Sequence, residues 1–128
     1  MAPAPGNPIS RADGQGNVTD RRTPFERILM FEDDRFHEIV AHHRASHSGA
    51  TVLANALCMA EEMGEAIQQI RRHLGLARSA ATLEQVGEEM ADVVISTAVT
   101  ARLMGLDLAA HIDAKLDVAV ERTRQGTA

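Results

Sequence analysis

The sequence predicts an all-α protein whose four main helices pack as a bundle. Three observations predict it. Two long runs carry apolar residues at helical spacing: Leu53, Met63, Ile67, Ile70 and Leu74 in one, and Leu83, Val86, Met90, Val93, Val94 and Met104 in the other. Two capping boxes, Thr23-Pro24-Phe25-Glu26 and Thr82-Leu83-Glu84-Gln85, mark helix starts. Gly75 and Gly105 stand where the periodic runs stop.

Taken in order, residues 1–22 read as a disordered tail, because Pro3, Pro5, Gly6, Pro8, Gly14 and Gly16 punctuate a stretch nearly free of bulky apolar residues. Residues 23–126 read as one domain. Its first helix opens at Thr23 and has Phe25, Leu29, Phe36, Ile39 and Val40 on its apolar side. Glu32-Asp33-Asp34 interrupts that pattern, which points to a kink or a short preliminary helix. Past Val40 the apolar side continues into His43 and His47, while His37 and His42 lie elsewhere on the wheel. His47-Ser48-Gly49 makes a break. The second helix is expected from Ala50 to Leu74, closing on Arg71-Arg72-His73, cations suited to a helix C-terminus. Leu76 to Ala81 is a small-residue loop, and the third helix runs from Thr82 to Met104-Gly105. Asp107 caps a fourth helix reaching Arg124, with Leu108, Ile112, Leu116 and Ala119 on its apolar side. His111, Lys115 and Arg122 fall within roughly 40° of one another beside that side.

Composition narrows the classes. A chain of 128 residues supports one domain. Its net charge of −5 argues against a nucleic-acid-binding surface. The single cysteine, Cys58, excludes an intramolecular disulfide, fits a reducing cytoplasm and reads as a small buried group. No apolar run approaches a membrane span, and no signal-peptide core is present. Without tryptophan or tyrosine, a base-stacking platform has to come from Phe, His or Arg.

The chemistry concentrates in a duplicated phrase. Glu61-Glu62-Met63-Gly64-Glu65 is answered by Glu88-Glu89-Met90-Ala91-Asp92. Each pairs carboxylates three residues apart, neighbours on a helix surface: Glu62 with Glu65, and Glu89 with Asp92. With Met63 and Met90 as stripe centres, Glu62 and Glu89 lie roughly 100° to one side, and Glu65 and Asp92 roughly 160° to the same side. Helices packed through those stripes therefore bring four carboxylates together at the edge of the interface. Like charges about 4 Å apart repel by roughly 4 kcal/mol at an effective dielectric of 20, so a cation among them is the natural remedy. All-oxygen donors suit Mg²⁺ first and Mn²⁺ second. A pair of solvated acidic helix faces is the plainer reading, and the matched phase of the two copies weighs against it. Gly64 and Ala91 occupy matching places and leave room beside the carboxylates. The acidic helices hold no Glu-x-x-His, which argues against a di-iron bundle.

The ExxE…ExxD pattern, from Val52 to Arg124, resembles the all-α nucleoside triphosphate pyrophosphohydrolases, the MazG-like proteins with their dimeric dUTPase and dCTP pyrophosphatase relatives. The resemblance implies Mg²⁺-dependent hydrolysis of a nucleoside triphosphate to the monophosphate and pyrophosphate. It implies metal ligation by Glu62, Glu65, Glu89 and Asp92, phosphate contacts from Lys115 and Arg122, with Arg71 as a further candidate, and a homodimer or homotetramer. The cellular role implied is removal of noncanonical or surplus nucleotides. Glu61 or Glu88 supports the ligands or takes the water's proton, and one of the four histidines contacts the base or none does. One departure stands out: the family's Asn between the Lys and the Arg falls near Ala119. An alternative of another class is a non-catalytic nucleotide-sensing or regulatory module that keeps the acidic site. No nucleic acid or membrane partner is expected.

Overall fold

The computed structural model describes residues 22–46 and 51–126. It is all-α, with five helices and no strand among the described residues: α1 (Pro24–Leu29), α2 (Asp34–Ser46), α3 (Thr51–His73), α4 (Leu83–Leu103) and α5 (Leu108–Arg124). The expected disordered tail, apart from Arg22, and His47 lie outside the described residues.

Local chemistry sets the boundaries. Thr23 and Thr82 each accept a hydrogen bond from the third helical amide, and the side-chain oxygens of Glu26 and Gln85 accept one from the cap's own amide. Asp107 accepts from the Ala110 amide at 3.0 Å and starts α5. Gly75 and Gly105 end α3 and α4 at φ near +73° and +72°, a conformation that costs a residue with a Cβ. The acidic interruption at 32–34 does split the first helical segment. Asp33 accepts from the Arg35 amide at 3.0 Å and directs a new start. Phe31 occupies the corner at φ +53°, unusual for a bulky residue. Its ring packs edge-on against Phe36, with centroids 5.9 Å apart.

Packing departs from the sequence reading. α3 and α4 form an antiparallel hairpin, the main helix pair of the chain. Their mutual seam shares Val86 and Val93 with the α4 stripe but otherwise lies beside the two apolar stripes. It runs through Thr51, Asn55, Glu62, Ala66 and Gln69 on α3, and Val86, Glu89, Val93, Ser96 and Thr100 on α4, all buried or half-buried. On a helical wheel it is turned about 80–100° from Met63 and Met90, in the same sense on both helices. The remaining stripe residues face outward, with Leu53 64 %, Ile67 50 %, Leu83 70 % and Met90 53 % exposed. The reason is local. Small residues let the helices approach, and the polar ones are satisfied inside their own helix. Asn55 Nδ2 donates to the Thr51 carbonyl at 2.9 Å, and Thr97 and Thr100 donate to the carbonyls four residues back at 2.7 and 2.8 Å.

The apolar core is small: Phe36 and Val40 of α2 against Ala98 and Val99 of α4, with Phe31, Leu103 and Leu108 beside them. α5 leaves α4 at 119° and has no buried residue. Two further expectations are corrected. Cys58 is exposed rather than buried. Gly64 faces open space rather than the carboxylates, with no atom within 4 Å of a Cβ built there. Among the described residues no single helix is long and apolar enough to cross a membrane.

Candidate metal centre

The turn of the seam toward the acids decides their geometry. Glu62 and Glu89 stand in the middle of the α3–α4 contact, not at its edge. Each is half-buried, Asp92 is exposed beside them, and one carboxylate oxygen from each lies within 4.8 Å of the other two. Oxygens around an octahedral Mg²⁺ at about 2.1 Å stand roughly 3.0 Å apart when adjacent and 4.2 Å when opposite, so the spacing fits a shared hard cation. The donor set, three carboxylates with no sulfur or imidazole among them, fits the same group.

The electrostatics agree with the crowding. Partial burial raises the Glu62 pKa above its ordinary value, and the negative charges of Asp92, Glu65, Glu89 and Glu61 raise it further. Glu65 is thus near enough to act on Glu62, but it is exposed and stands outside the three-residue group. Glu61 and Glu88 are both exposed.

The basic candidates lie elsewhere in the single chain. Arg71 donates through Nη2 to the Leu76 carbonyl at 3.4 Å and so helps close the end of α3, about 13 Å along the axis from Glu62. Lys115 is exposed on α5. Arg122 lines a shallow hollow with Asp117, Val118, Glu121 and Gln125 of its own helix. With a rise of 1.5 Å per residue and the 119° turn, Lys115 and Arg122 stand roughly 15–20 Å from Asp92.

Scans against protein-family models, curated proteins and solved structures each gave no match. The site therefore rests on its own chemistry.

His37, His42, His43 and His73 make local contacts. Arg102 Nη1 donates to His37 Nδ1 at 2.9 Å, since a guanidinium has no acceptor to offer. The rings of His42 and His43 meet edge-on at 5.9 Å. His73 Nδ1 donates to the Ala81 carbonyl at 3.1 Å and ties the loop to α3. Sequence reading passed over one feature near the acids. Ile95, one turn beyond Asp92, joins Phe36 and Ile39 of α2 and Ile28 of α1 around an apolar hollow of about 240 Å³. Only the packing of separate helices brings these residues together.

Proposed function

We propose that the chain is an Mg²⁺-dependent nucleoside triphosphate pyrophosphohydrolase of the MazG-like kind, releasing a nucleoside monophosphate and pyrophosphate. The observation that carries this reading is the convergence of Glu62, Glu89 and Asp92 from two helices onto one half-buried point. These three residues would hold the cation, with Glu65 flanking them, and Mn²⁺ is a plausible substitute by the same donor chemistry. When bound, the cation supplies charge neutralisation at phosphoryl oxygens and a more acidic water. Glu61 or Glu88 is the candidate to take a proton from that water, since both flank the ligands and are exposed to solvent.

Lys115, Arg122 and Arg71 remain the candidates for stabilising the leaving pyrophosphate. The distance of α5 from the acids within one chain means that assembly has to bring its cations close. A homodimer or homotetramer of a MazG-like four-helix-bundle type is part of the proposal, supported by the outward-facing apolar stripes of α3 and α4. The single cysteine supports a cytoplasmic setting, and the role proposed is clearance of surplus or noncanonical nucleotides.

The test is a panel of deoxynucleoside triphosphates with Mg²⁺, assayed for pyrophosphate and monophosphate. Release of both supports the enzyme. Mg²⁺-dependent nucleotide binding without turnover favours the sensing module, a reading that the departure at Ala119 from the family's Asn keeps in view.

A further inference from the structure

The hollow between α1, α2 and α4 lies beside the acidic point. Ile95 follows Asp92 by three residues on α4, so the two side chains are neighbours on one helix surface. Among the described residues the walls are Ile28, Phe36, Ile39 and Ile95, and the polar lining is Asp33 and Arg35. At about 240 Å³ it is smaller than the roughly 300–1,000 Å³ of pockets that enclose drug-sized molecules, and a helix or strand of a partner does not fit. A single planar ring system does.

The polar pair gives the hollow a defined hydrogen-bonding edge. Arg35 grips Asp33 through Nε to Oδ1 at 2.7 Å and Nη2 to Oδ2 at 3.2 Å. The Asp33 side chain is 14 % exposed, and that of Arg35 is 73 % exposed. Two of the guanidinium's five N–H donors face Asp33, which leaves others for a ligand, and the carboxylate keeps lone pairs for a second donor. An acceptor and a donor thus sit side by side above an apolar floor. Their complement is a donor next to an acceptor on one edge of a base, such as the amino group and ring nitrogen of adenine and cytosine or the N3–H and carbonyl of uracil.

We propose that this hollow seats the base of the nucleotide, with Phe36, Ile39 and Ile95 against the ring and the Asp33–Arg35 pair hydrogen-bonding to the base edge. It rests on the reading of Glu62, Glu89 and Asp92 as the cation site that holds the phosphates of the same molecule. The pair also supplies the polar recognition that the chain's lack of tryptophan and tyrosine leaves to other residues.

Methyl NMR on the Mg²⁺-loaded full chain separates the two ideas. The probes are α,β-imido deoxynucleoside triphosphates carrying adenine, cytosine, guanine or uracil, with inorganic tripolyphosphate as the base-free control. The Ala66 and Val93 methyls report on the acids, and the Ile28, Ile39 and Ile95 methyls on the hollow. The nucleotides are expected to move both sets, and tripolyphosphate only the first. Nucleotides that move Ala66 and Val93 but leave the three isoleucines still overturn the base seat and spare the cation site. If neither probe moves Ala66 or Val93, the cation site fails, and the base seat with it. Two variants sharpen the result. Ile95→Trp, which fills the hollow, should weaken nucleotide binding at least about tenfold while leaving tripolyphosphate binding in place. Asp33→Asn should weaken nucleotide binding by about tenfold while leaving tripolyphosphate binding in place. Unchanged nucleotide binding overturns the role given to the pair.

Discussion

At the scale of single residues, Glu62 and Asp33 show opposite uses of a carboxylate. Glu62 is held among like charges, so its protonated form is favoured in the folded chain. The metal-free protein should therefore lose stability as pH rises from the ordinary value of 4.5 through the raised one, because the folded state binds the proton more tightly. Glu62→Gln should flatten that slope and melt no lower than wild type in EDTA. It should also gain less from Mg²⁺, whose stabilisation of wild type at a hundredfold excess over its dissociation constant is about 2.7 kcal/mol. Thermal melts of both proteins, each with EDTA and with Mg²⁺, check this. A wild type unmoved by Mg²⁺ returns the acids to a solvated face. Asp33 is the reverse case. The Arg35 side chain, helped by the Arg35 amide, holds its pKa down to about 2 from 3.8. The stability it contributes is present above 3.8 and is lost as pH falls through about 2. Asp33→Asn should therefore blunt the acid limb of a pH–stability curve without altering the neutral region's slope, as urea midpoints across pH would record.

At the scale of elements, the caps and stops were legible because they are local. Thr82 and Gln85 need only each other, and Gly75 needs only its own φ. Thr82→Ala should cost about 1 kcal/mol by urea denaturation, the ordinary worth of an N-cap. The seam was not legible. Periodicity finds the greasiest side of a helix, and on α3 and α4 that side looks outward. Thr51, Asn55, Ser96 and Thr100 look like surface residues until their hydrogen bonds to their own helix are known or inferred. The acid cluster was legible even so, because the seam turned the same way on both helices and so kept the two phrases facing one another. Gly64 was misread for the same reason: its place beside the carboxylates in the sequence puts it on the open side of the helix. Gly64→Ala should accordingly stabilise α3 by up to about 1 kcal/mol and leave the Mg²⁺ shift in melting temperature intact. A lost shift would mean the room it leaves is used after all. The hollow beside Ile95 had no sequence signal, since Asp33, Phe36 and Ile95 belong to two helices and a corner.

At the scale of the molecule, one chain leaves much apolar surface uncovered. Leu53, Ile67, Leu83 and Met90 are half or more exposed, and α5 has no fully buried residue. A stable association buries about 1,200–2,000 Å², and the two stripes are the surfaces suited to supply it. Sedimentation velocity should show an assembly, with a melting temperature that rises with protein concentration. Ile67→Lys should shift the chain toward monomer while the helix content holds. A wild type that stays monomeric at high concentration removes assembly from the proposal.

The polar, acidic seam has a consequence for motion. Helices joined through threonine, asparagine and paired carboxylates have little adhesion at their centre, so the middle of the hairpin should breathe more readily than its capped ends. Amide hydrogen exchange around Ala66 and Val93 would then be fast without a divalent cation and slow with one, and the hairpin's own opening rate becomes a gauge of what the carboxylates hold.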